Sequence, residues 1–104
     1  MGRKFSDPIH PGEILDDELK EIGMNGAELA ERLNVPANRV YQILKGKRSI
    51  TADTAMRLGQ FFGTGPEIWV NLQKSYELDV VRRMEGKDIK SITPYQQAGV
   101  HTII

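Results

Sequence analysis

The chain contains no cysteine. Disulfide frameworks and thiolate zinc sites are therefore excluded, and a reducing compartment suits it. The two histidines, His10 and His101, stand far apart, and neither has another ligand at i, i+4, so no metal site is expected. Long apolar runs are also missing: none approaches the roughly 20 residues needed to span a bilayer. Residues 1–7 lack the apolar run of a secretory signal. A cytoplasmic protein with no membrane partner is the expectation. No activated nucleophile and no glycine loop able to cradle a phosphate is visible. The run Asp16-Asp17-Glu18 would point in several directions from a helix, so it reads as a solvated acidic face. Neither an enzyme nor a cofactor-dependent protein is expected.

What is present is the balance of an ordinary soluble domain, with 39% hydrophobic and 27% charged residues in 104. That length suits one domain and is too short for two independent cores. The formal net charge is zero, yet its distribution is uneven. Residues 11–32 carry seven acidic side chains against two basic ones. Residues 34–50 carry Arg39, Lys45, Lys47 and Arg48 with no acid at all. A neutral chain can thus present one basic face.

Periodicity and caps predict five helices. The first covers 12–22, with Leu15, Leu19 and Ile22 on one face and Gly23 as its stop. Asn25 and Glu28 make a capping box for a second helix ending at Leu33, with Glu28 and Arg32 at pairing distance along it. Asn34-Val35-Pro36 is a turn, and a third helix follows over 37–45. Thr51 caps a fourth, with Asp53 in its first turn, ending at Gly63. Gly65-Pro66-Glu67 opens a fifth, on which Trp69, Leu72, Tyr76 and Val80 recur inward up to Gly86. The fold class is all-α, a compact five-helix domain over 1–86. The segment 87–104 has no clear period and is expected as a partly disordered tail, with an arm packed on a partner subunit as the alternative.

The second and third helices, with a motif at 26–45, satisfy the demands of a helix-turn-helix. Ala30 is small enough for close approach, and Leu29, Leu33, Val35, Val40 and Ile43 can lock the crossing. The outward face of the third helix then offers Ala37, Asn38, Tyr41 and Gln42 to base edges in a major groove, with Arg39 on the flank. Asn and Gln pair with adenine N6 and N7, and Ala and Tyr can touch a thymine methyl. Arg39 could instead pair with an acid of the first helix. Lys45-Gly46-Lys47-Arg48 is placed for phosphates, which add affinity without sequence information. Trp69 is expected in the core, and Asn71 is a candidate to bond the loop around Gly63.

The segment NGAELAERLNVPANRVYQILKGKRS (25–49) resembles the lambda-repressor and Cro type of helix-turn-helix. More narrowly, HPGEIL, GKRSITADTAMRL and FFGTGPEIWVNLQ are similar, in order and spacing, to the HigA antitoxins, some of which are called virulence-associated protein I. The resemblance covers residues 10–81. It implies a five-helix homodimer that masks a HigB-type ribonuclease toxin and represses the operon encoding both by binding double-stranded operator DNA. Carried over by position, it assigns base reading to Ala37, Asn38 and Gln42, and backbone contact to Asn25, Lys45 and Lys47. Gly26 stands where many relatives have Gln, which implies one phosphate contact fewer. Gly65 stands where Ser is common, weakening a cap by a few tenths of a kcal/mol. A solitary repressor, or a toxin-binding module with little DNA specificity, remain the alternatives.

Overall fold

The first helix begins one residue earlier than periodicity suggests, because a histidine caps it. In the computed structural model, which describes residues 7–96, α1 spans Pro11–Ile22. His10 precedes it in an extended conformation, and its Nδ1 accepts the Gly12 N–H at 2.8 Å. That bond satisfies one of the amides every helix start leaves without a partner. The preference for Ser, Thr, Asp or Asn at such positions hides this cap from sequence reading.

The other boundaries follow local chemistry. Helix α2 (Gly26–Leu33) starts on the reciprocal box: Glu28 N–H donates to Asn25 Oδ1, and Asn25 N–H donates to Glu28 Oε1, both at 2.8 Å. Glu28 is thereby committed to the cap, and Arg32 lies over the Phe61 ring, 5.1 Å from its centroid, instead of pairing with Glu28. Asn34 ends α2 in the left-handed conformation, with φ at 60°. Pro36 fixes an extended entry, and α3 (Ala37–Leu44) follows without a side-chain cap. Thr51 caps α4 (Ala52–Phe62) through its hydroxyl.

Helix α5 (Glu67–Lys90) departs from expectation. It runs through Gly86 and four residues into the segment read as a tail. A mid-helix glycine costs only about 1 kcal/mol. Lys87 and Lys90 in the last turn complement the negative end of the helix dipole. The remainder of the expected tail from residue 97 lies outside the described residues.

Among the described residues there is no strand, and all five helices contribute to one core. Leu15 and Leu19 of α1 meet Leu29, Ala30 and Leu33 of α2, and Val40 and Ile43 of α3. Ala55 and Leu58 of α4 and Trp69 of α5 close it, with Ile50 as a plug from the loop before α4. Burial of each large aliphatic stabilises by roughly 1.5–3 kcal/mol. Helix α2 packs chiefly on α3, and Ala30, 2% exposed, lets their backbones approach. Helix α1 also comes close to the far end of α3: a Cβ built on Gly12 would stand 1.9 Å from the Ile43 carbonyl oxygen.

Helix α5 has two apolar faces. Trp69, Leu72, Gln73, Tyr76 and Val80 turn toward the bundle, but no described residue after Gln73 is buried. The opposite face carries Val70, Leu78, Val81 and Ile89, all exposed.

The contact at Gly12 sets a stability prediction. Gly12→Ala should lower the unfolding free energy by about 1–3 kcal/mol, the usual range for overpacking, read from urea midpoints. A loss below about 0.5 kcal/mol, typical of a neutral surface change, would show that the two helices can separate at little cost.

Candidate nucleic-acid interface

Helix α3 presents one open face. Ala37, Asn38 and Tyr41 are exposed and Gln42 is half-buried, while Val40 and Ile43 point into the core. The pairs 37/41 and 38/42 are four apart, so all four side chains share a stripe. Beyond the helix, Lys45 is its C-cap and Gly46 takes a φ of 75°, which turns the chain back. Lys47, Arg48 and Ser49 are exposed, and the chain re-enters the core at Ile50.

This loop is anchored by residues that motif reading missed. Ile50 N–H donates to Gln73 Oε1 at 2.8 Å, and Gln73 Nε2 donates to Glu77 Oε2 at 2.9 Å. Gln73 is 4% exposed. The clue in the sequence was a glutamine at an inward position of the fifth helix. Asn71, the candidate for bonding a loop, is exposed on α5. On the other side of the loop, the His10 ring packs edge-on against Tyr76, with centroids 4.9 Å apart, and lies 3.8 Å from where a Gly46 Cβ would be. One buried imidazole thus joins the start of α1, the loop after α3 and the flank of α5.

Arg39 is tied to α4, not to α1. Its guanidinium meets Asp53 Oδ2 at 2.6 Å, and Arg57 Nε donates to the same oxygen at 3.0 Å. Arg57 then reaches across to the Leu33 carbonyl at 2.9 Å, satisfying an acceptor at the end of α2. The bonds from Arg57 and Arg39 hold the Asp53 carboxyl below its ordinary pKa. These charges are exposed, so their effect is on orientation more than on stability. Asp53 was expected only as a favourable charge at a helix start; that it links three helices was not legible.

Two further contacts shape the open face. Arg48 Nε donates to Gln42 Oε1 at 2.9 Å. The Tyr41 ring lies over Gly26, where a Cβ would come within 2.8 Å of ring carbon Cε1. A glycine at 26 therefore makes room for the aromatic ring. Asn25, expected at a phosphate, uses Oδ1 for the cap. Among the described residues no group of three potential metal ligands occurs, and no helix is long and apolar enough to cross a membrane.

Two short helices joined by a tight turn, with a polar open face on the second and basic residues after it, define a helix-turn-helix protein of the lambda-repressor-like all-α type. The helix-turn-helix family pattern matches residues 15–69, from α1 into α5. Virulence-associated protein I of Dichelobacter nodosus is 41% identical over 92 residues, covering 88% of this chain and 82% of that protein. The solved addiction module antidote protein of a HigA family from Coxiella burnetii is 54% identical with a TM-score of 0.83, over 86% of this chain and 99% of that one. The Pseudomonas aeruginosa antitoxin HigA, solved with the higBA promoter, is 45% identical with a TM-score of 0.81, over 86% and 99%. The chain belongs to the HigA-type antitoxins of the helix-turn-helix family.

Burial pushes the His10 pKa down, outweighing the opposite pull of Glu13 and of the Arg48 backbone. The unfolded chain therefore binds this proton more readily than the folded one. Stability should fall as pH drops through the ordinary histidine value near about 6.5, and level off below the lower folded value. Urea midpoints between pH 8 and pH 5 should show this fall, and His10→Asn, which keeps a capping acceptor, should flatten it. A profile unchanged by the substitution would remove His10 as its source.

Proposed function

We propose that the protein is a sequence-specific DNA-binding repressor of its own operon and the antidote of a HigB-type ribonuclease toxin, acting as a homodimer in the cytoplasm. The observation that carries this reading is the open face of α3, with Asn38 and Gln42 one turn apart and an acid-free basic loop behind them. Asn38 and Gln42 read base edges by paired hydrogen bonds, and Ala37 and Tyr41 make apolar contact with a thymine methyl. Arg39, held at the flank by Asp53, adds a cation beside the groove. Lys45, Lys47 and Arg48 meet phosphates, as does Asn25, whose Nδ2 can still donate. Membership in the HigA group supports both the operator and the toxin as partners, and its members are regulators rather than enzymes.

The second apolar face of α5 supports the dimer. Val70, Leu78, Val81 and Ile89 form a stripe facing away from the bundle, and a second copy of the helix would cover it. A two-fold axis there pairs two identical patches. The two recognition helices would then meet half-sites about 34 Å apart, one turn of duplex.

Fluorescence anisotropy on the duplex upstream of the gene, with a scrambled duplex as control, tests the repressor reading. A preference of about 10³-fold or more is expected. Asn38→Ala and Gln42→Ala should each cost about 1–3 kcal/mol on the operator and little on the control. Lys47→Ala should weaken both alike and reduce the salt slope by about one. Equal, salt-sensitive binding to both duplexes would overturn sequence-specific repression and leave the toxin-binding module as the function. For the dimer, a Leu78→Asp/Val81→Asp variant should sediment as a monomer with operator affinity reduced at least ~10-fold; a variant that stays dimeric would place the interface elsewhere.

A further inference from the structure

Gln42 has an amide that can present either end to the groove, and its neighbour decides which. Arg48 Nε donates to Gln42 Oε1 at 2.9 Å. Arginine carries five N–H donors and no acceptor, so the oxygen must be the amide atom on its side, and Nε2 must be the atom turned away. The backbone delivering Arg48 is itself fixed. Lys47 N–H bonds the Gln42 carbonyl at 2.8 Å, and Ile50 N–H is held by Gln73 at 2.8 Å. Gly46 makes the reversal that brings residue 48 back beside residue 42. The contact is thus held by two separate backbone anchors, one on each side of Arg48.

We infer that Arg48 is a positioning residue for base recognition: it locks the Gln42 amide with its N–H groups outward and so selects bases that offer an acceptor in the major groove. This rests on the reading of Gln42 as a base reader. Adenine and guanine present N7, and guanine and thymine present O6 and O4; cytosine presents only the N4 amino donor. With Oε1 held by Arg48, cytosine under Gln42 meets a donor with a donor and is rejected. Adenine, guanine and thymine are all admitted, because each offers an acceptor to the outward Nε2. The remaining guanidinium donors are left for a phosphate, so one side chain couples the position of the DNA backbone to the orientation of the reading amide.

Methionine in place of Arg48 removes every donor beside Gln42 Oε1 while keeping an unbranched stem. Wild type, Arg48→Met and Gln42→Ala would each select from a pool of duplexes randomised over 20 base pairs, followed by sequencing and by salt titration on the selected duplex. Wild type should exclude cytosine at one position per half-site by roughly ten-fold or more. Arg48→Met should lower the salt slope by about one through the lost phosphate contact and, as the separate mark of positioning, admit cytosine there, while Gln42→Ala should lose preference at that position. If Gln42→Ala relaxes the position but Arg48→Met excludes cytosine as wild type does, the positioning role is overturned and base reading stands. If Gln42→Ala leaves the preference intact, base reading by Gln42 falls, and the role of Arg48 falls with it.

Discussion

The recognition helix is too short to exist alone. Helix α3 is eight residues long and has no side-chain cap. Isolated helices below about 12–15 residues are marginal in water even with favourable composition. Its helicity and its placement must therefore both come from neighbours, and the rest of the molecule is arranged to supply them. Val40 and Ile43 are gripped by α1 and α2, and Gly12 seats the start of α1 on its last turn. Asp53 holds Arg39 on its flank. Helices α1 and α2 thus pack directly on α3, and α4 reaches it through Asp53.

That dependence explains what could be read in advance. The helices, their caps at Asn25 and Thr51, the left-handed exit at Asn34 and the aliphatic core were legible because each follows from a short-range rule. Spacing by 3.6 residues, one polar cap and one small residue at a crossing are local signals. The stripe Ala37, Asn38, Tyr41 and Gln42 was legible for the same reason, since helical geometry alone places them together.

The links between elements were not legible, because they join residues far apart in the chain. Gln73 to Ile50 spans 23 positions, Arg57 to Leu33 spans 24, and Arg39 to Asp53 spans 14. Each residue type had an ordinary local explanation, as a surface polar group or a helix-start acid, that concealed its partner. His10 was set aside with His101 once metal binding was discounted, though it is both a cap and a three-way junction. The end of α5 was misread for a different reason. Gly86 is a stop signal only where the next residues disfavour helix, and Lys87 to Lys90 do not.

The stacking of Tyr41 on Gly26 bears on how such proteins diverge. Helix exchange between related regulators treats the reading helix as a portable cassette, to be cut at its turns and fitted to any scaffold of the same fold. Here one of the outward residues rests on the helix before it, in a space that exists only because position 26 has no side chain. Grafted onto a scaffold with a larger residue there, the Tyr41 ring would have to move, and the outward face of α3 would change shape with it. The presentation of the open face of α3 thus depends on position 26, a residue on the preceding helix.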